Sequence, residues 1–258
     1  MEPQISEFSY GYAVVEELTK RYKKSISSAP FFPSLRREGK KGGGYDVRIE
    51  RGKKGLPLFI QFKLSHVFVR NTAKEVNLGY LSTPFNRFYI IPKSKSKQHN
   101  MLVDLYDKKL NEVYYISPYF NTQEELNYHY LDDSVLKSSF QVNPKIIGKI
   151  NDNKKHHISF KKDSKHFYIF SEPMEKEGNF GHKKFYKEIN NSLESIEDDL
   201  PTLIKNNNEH LLSTISKNYP MMMREIVKNI PEQENEIMKL FYLSRYFLGA
   251  EVILLTNQ

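Results

Sequence analysis

The chain has 258 residues, no cysteine, and 39 Lys plus Arg against 31 Asp plus Glu, a net charge of +8. Its 39% hydrophobic content, with 17 Phe and 17 Tyr, is enough for one large domain or a domain with a smaller appended part, and excludes wholesale disorder. The lack of cysteine excludes disulfides and thiolate metal sites and fits a reducing, cytoplasmic setting, while the basic excess suits a polyanion partner such as nucleic acid.

The N-terminus, MEPQISEFSYGYAVVEEL, is acidic and lacks the basic-then-apolar layout of a signal peptide. Phe8, Tyr12, Val15, Thr19 and Tyr22 recur at helical spacing and predict a helix over 6–24, with Ser6 as its N-cap. Its acids are Glu7, Glu16 and Glu17. Glu17 borders the apolar face through Val14 and Leu18 and is the one favoured to look inward, whereas Glu7 suits the positive end of the helix dipole.

Residues 25–44 read as a connector, with Phe31–Leu35 a candidate first strand. Arg36, Arg37, Lys40 and Lys41 lie among glycines that let backbone approach a phosphate closely, a solvated loop being the equal alternative. No Gly-Lys-Ser/Thr follows, so this is not a Walker loop.

Residues 45–65 carry the chemistry. Tyr45–Glu50 alternates apolar and polar residues, and Pro57–Ser65 sends Leu58, Ile60, Phe62 and Leu64 to one face and Phe59, Gln61, Lys63 and Ser65 to the other. The pattern predicts two strands joined by a turn that holds Lys53 and Lys54. Paired as a hairpin, they set Asp46 opposite or next to Gln61, with Lys63 on the same face. An acid, an amide oxygen and an ammonium group then converge on a space the size of one ion.

Further on, Arg87–Pro92 and Glu112–Pro118 read as strands and Ser96–Tyr106 as a helix. Thr122 and Glu125 form a capping box for another helix, and strand-like pieces follow at SSFQVNP, KHHISF and KHFYIFSEP. His156 and His157, adjacent on a strand, point to opposite faces and cannot easily share a metal. The Lys, His, Phe and Tyr alternation through 154–170 reads as core in preference to a polyanion surface. From about Gly181 the pattern turns helical, broken by Pro201, Pro220 and Pro231. Phe241–Leu255, interrupted by Arg245 and Glu251, is too short and too charged to span a bilayer and reads as a buried helix.

Asp46 followed by Gln61-Phe62-Lys63 resembles the signature of the PD-(D/E)xK nuclease superfamily, with Tyr45 in place of the usual Pro and Gln61 in place of the usual acid. The resemblance covers about the first 120 residues and leaves the remainder unassigned. It implies a mixed α/β, restriction-endonuclease-like sheet flanked by helices within 1–180, beside a helical region, 181–258, that caps it or docks a partner. It also implies Mg²⁺ or Mn²⁺ held by Asp46, Gln61 and Glu17, with Lys63 orienting water or stabilising charge on phosphorus. Arg36, Arg37, Lys40, Lys41, Lys53, Lys54 and His66 are the expected nucleic-acid contacts, with DNA ahead of RNA. The implied activity is phosphodiester hydrolysis in bacterial restriction or anti-phage defence. The competing reading is a non-catalytic nucleic-acid-binding or assembly subunit on the same fold.

Overall fold

The computed structural model describes residues 1–29, 52–162, 164–170, 174–177, 180–221 and 236–257. It is a mixed α/β protein with two sheets. In chain order the elements are α1 (Glu7–Arg21), β1 (Gly55–Phe62), β2 (His66–Phe68), α2 (Lys74–Asn77), β3 (Phe85–Ile90) and α3 (Gln98–Leu105). Then come β4 (Glu112–Pro118), α4 (Gln123–Leu131), β5 (Ser139–Val142), α5 (Pro144–Ile147), β6 (His156–Phe160), β7 (His166–Phe170) and β8 (Met174–Glu177). The chain ends with α6 (His182–Ser195), α7 (Leu200–Asn218), α8 (Glu236–Leu243), a π-helical turn (Ser244–Leu248) and β9 (Glu251–Thr256). No helix among the described residues is long and apolar enough to cross a membrane.

The first sheet has the order β5-β4-β1-β9, and β1 is its axis. All eight β1 residues are buried, as their apolar composition requires of a strand covered on both faces. The alternation read from the sequence holds. Leu58, Ile60 and Phe62 join the core formed by Tyr10, Val14 and Leu18 of α1 and by Phe185 and Ile189 of α6. Phe59 points the other way, into the core of α3, α7 and α8. Gly11 is required where α1 crosses the end of β1, because a Cβ there would lie 2.8 Å from the Phe62 ring.

β4 pairs with β1 in parallel, and α3 stands between them in the chain. The antiparallel neighbour of β1 is β9, with Phe59 opposite Val252 and Ile60 opposite Glu251. Both edges of Leu58–Ile60 are therefore taken, by β4 and β9. Over Leu58–Ile60 the ladder expected from Tyr45–Glu50 thus finds both edges occupied. The expected strands Tyr45–Glu50 and Phe31–Leu35 lie outside the described residues.

The C-terminus also departs from expectation. The apolar run from Phe241 is helical only to Leu248, where Gly249 adopts φ +56° and turns the chain into β9. Burial on both faces explains the misreading, since a strand embedded between two layers carries no period-two signal and looks like a buried helix. Region 181–258 thus supplies helices α6 to α8 and the edge strand β9 of the first sheet.

The second sheet, β2-β3-β6-β7-β8, is antiparallel throughout. Phe88, Ile158, Phe160, Phe167 and Ile169 form its inner face and join the Phe59 core. On its outer side α2 inserts Glu75, whose side chain is 0% exposed. Arg87 Nε donates to Glu75 Oε1 at 2.9 Å, Ser159 Oγ donates to the same oxygen, and His157 Nε2 lies 3.2 Å from it. Burial alone would raise the Glu75 pKa, but the bonds from His157, Arg87 and Ser159 together hold it at about 2.

Because its folded pKa lies below the ordinary carboxylate value, Glu75 contributes stability that is present at neutral pH and fades as the pH falls toward 2. Arg87→Met leaves the carboxylate buried without its cation and is expected to cost about 3–5 kcal/mol at neutral pH in urea unfolding. The deficit shrinks on acidification, as Glu75 in the variant takes up a proton. A loss under about 1 kcal/mol, or one independent of pH, contradicts this role.

Candidate functional site

The C-terminal end of β1 is where buried strand gives way to reachable side chains. The Lys63 amide still donates to the Ile116 carbonyl at 3.0 Å, after which the chain leaves the sheet. Three other segments meet there: the first turn of α1, the start of β9, and the π-helical turn with Gly249. Gly249 brings the Leu248 carbonyl over β1, where it accepts from Gln61 Nε2 at 3.1 Å and from Gln98 Nε2 at 2.6 Å.

Gln61 is 3% exposed, and the bond to Leu248 fixes its orientation, since only the amide NH₂ can face a carbonyl. Its Oε1 is left buried without a hydrogen-bond partner. An unsatisfied buried acceptor costs about 1–3 kcal/mol. Lys63 lies on the same side of the sheet, with Nζ 6.0 Å from the ring centroid of Tyr115, the residue paired with Gln61. Tyr115 Oη bonds His99 Nδ1 at 2.9 Å, and His99 Nε2 lies 2.8 Å from the Gly148 carbonyl. Burial pushes His99 down to about 4, with the Lys63 charge adding to the effect, so its ring is neutral at pH 7.

Two carboxylates complete the group. Burial holds Lys63 below the ordinary lysine value, and the Glu7 carboxylate partly offsets this. Burial raises Glu251, 7% exposed, above the ordinary carboxylate value. The Arg245 guanidinium opposes that shift and the Glu7 charge adds to it. Glu7 is therefore close enough to feel both Lys63 and Glu251. Glu251 leaves β9 on the Ile60 side and Gln61 leaves β1 on the other. The acids and the amide flank the strand end from its two faces, with Lys63 between them.

Of the α1 acids, Glu7 and not Glu17 lies near Lys63 and Glu251. Glu17 Oε2 accepts from the Leu136 amide at 3.0 Å, and Tyr186 Oη lies 3.5 Å from its Oε1. It sits ten residues further along α1 than Glu7, about 15 Å at helical rise, too far for both to touch one ion. Glu16 bonds Tyr130 and Lys20. Lys53 and Lys54 are exposed at the opposite end of β1, about 30 Å from Lys63 at strand rise, and do not join the group. His66 opens β2 and is half-buried against Tyr89. Asp46, Arg36, Arg37, Lys40 and Lys41 lie outside the described residues.

Glu251 and Gln98 were not singled out from the sequence. A signal for Glu251 existed, as an acid interrupting the apolar run 241–255; its place beside β1 depends on a pairing between distant segments that local pattern cannot show. Among the described residues no cluster of three or more His, Asp or Glu side chains is placed to hold a metal. Comparison with known proteins finds no match: no family model, no curated protein and no solved structure is similar enough to carry an assignment.

If the Gln61 amide oxygen and the acids are cation ligands, Mn²⁺ raises the melting temperature of the wild-type chain and leaves that of Gln61→Met nearly unchanged. Without metal, Gln61→Met melts no lower than wild type, because it removes an unsatisfied acceptor. The Mn²⁺ effect grows as the pH rises through the elevated pKa of Glu251, since the ion displaces its proton. Equal metal-induced shifts in both proteins would exclude Gln61 as a ligand.

Proposed function

We propose that the protein is a divalent-metal-dependent phosphodiester hydrolase acting on nucleic acid, with a restriction-endonuclease-like first sheet. The observation that carries this reading is the Gln61-Phe62-Lys63 segment at the open end of the central strand, with the buried Gln61 Oε1 unpartnered and Lys63 in the field of Glu7. The surroundings support it: a helix precedes the strand, α3 leads to the parallel strand β4, and an antiparallel neighbour carries an acid. That neighbour is β9, whose Glu251 lies opposite Ile60, on the face away from the one expected for Asp46.

The donor set suits a hard cation. Mg²⁺ keeps several waters and needs one or two protein carboxylates besides the substrate's phosphate oxygens, which Glu7 and Glu251 with the Gln61 oxygen can supply. When bound, the cation polarises the phosphate and makes its water a better nucleophile. Lys63, whose charged form Glu7 favours against burial, donates to a phosphate oxygen and stabilises the negative charge that develops in the transition state. The Leu248 carbonyl, which also accepts from Gln98, holds the Gln61 amide in place. The net charge of +8 draws a polyanion to the surface. A role in bacterial restriction or anti-phage defence, with DNA ahead of RNA, extends the same reading.

Nicking of plasmid DNA, or cleavage of RNA, in Mg²⁺ or Mn²⁺ but not in chelator tests it directly. Lys63→Ala is expected to lower the rate by about 10²–10³-fold with the fold intact by circular dichroism. Glu251→Gln and Asp46→Ala locate the second acid: loss with the first and retention with the second assigns it to β9. Wild-type rates from Lys63→Ala remove the site. Binding without metal-dependent cutting favours the non-catalytic subunit.

A further inference from the structure

His66, which opens β2, is three residues beyond Lys63, so the second sheet begins within about 10 Å of chain from the strand end. Its outer face carries a row of rings. Register sets Tyr89 of β3 beside His157 of β6, and His157 beside Phe170 of β7. Tyr89 meets His66 edge-on at 5.5 Å and His157 edge-on at 5.8 Å, while His157 stacks flat on Phe170 at 5.3 Å. The row is braced from the side, because α2 on the same outer face fixes His157 through Glu75, to which Arg87 is also clamped.

Tyr89 is 45% exposed and the neighbouring Ile91 47%, although both lie in or beside a strand whose Phe88 and Ile90 are buried. The margin of this face is cationic. Lys93 follows β3, Lys155 precedes β6, and both are exposed. Glu75, the acid that α2 inserts beside the rings, is fully buried and neutralised by Arg87, so it presents no charge to an approaching phosphate. The exposed Tyr89 ring, braced by His66 and His157 and edged by lysines, fits an unstacked base of a chain joined by phosphates. A duplex, whose bases already stack on each other, has no free face to offer it.

We propose that Tyr89, flanked by His66 and His157, is a base-stacking platform for single-stranded nucleic acid beside the strand end that carries Lys63. The sheet holds the bases and Lys93 and Lys155 contact the backbone, which directs the next phosphate toward the end of β1. This inference takes its ligand class from the proposed function but does not depend on catalysis.

Binding of the full-length protein to labelled single strands of about a dozen nucleotides, followed by fluorescence anisotropy in chelator, tests it with DNA, RNA and duplex arms. Tyr89→Ala is expected to weaken single-strand binding about tenfold or more, while Tyr89→Trp keeps it and duplex binding does not change. Preference between the DNA and RNA strands identifies the sugar. The proposal fails if wild type binds neither single strand or prefers duplex, if Tyr89→Ala binds as wild type, or if it loses single strand and duplex equally. Failure here alongside metal-dependent cutting by wild type leaves the nuclease reading in place. A Tyr89-dependent single-strand affinity in a protein that never cuts leaves the platform and removes the nuclease.

Discussion

A strand buried on both faces must have its backbone hydrogen bonds met on both edges, and β1 shows how far that requirement shapes the molecule. Its residues lie between two apolar cores, one with α1 and α6 and the other with α3, α7 and α8. Water reaches neither edge, so β4 and β9 must supply the ladder. The chain can show polar side chains only where that ladder ends, past Phe62. That one constraint brings the first turn of α1, the start of β9 and the Leu248 carbonyl to a common place.

Much of this was readable in advance where local pattern is decisive. The alternation of Leu58, Ile60 and Phe62 against Phe59 and Gln61 reflects two different cores, and it survives in the structure residue by residue. Ser6 caps α1 by accepting from the Ser9 amide, and Thr122 with Glu125 forms the expected capping box. His156 and His157 do face opposite ways, one to Asp152 and the other to Glu75. The inner Phe160 and Phe167 are core, as read, while the outward residues of the same strands form a second surface.

What escaped the sequence was long-range pairing. Val252 to Leu255 is apolar at every position because β9 is covered on both sides, which erases the cue that separates strand from helix. Once β9 takes the edge of β1, Glu251 becomes the acid facing the strand end. The placing of Glu7, and not Glu17, beside the strand end escaped for a related reason. An apolar border shows that a residue faces the core, but not which end of the helix meets the strand terminus. The Glu17 carboxylate is occupied by Leu136 and Tyr186 instead.

The two sheets divide the work in the account offered here, the first presenting charge and oxygen donors at a strand end and the second presenting rings and lysines alongside. Its central claim is that Glu7, Glu251, Gln61 and Lys63 serve one cation-centred site. Anomalous scattering from crystals soaked in Mn²⁺ reads this most directly. The account predicts a peak at the C-terminal end of β1, within about 2–2.5 Å of carboxylate and amide oxygens from this group. A peak coordinated elsewhere, or none at millimolar Mn²⁺, would contradict it.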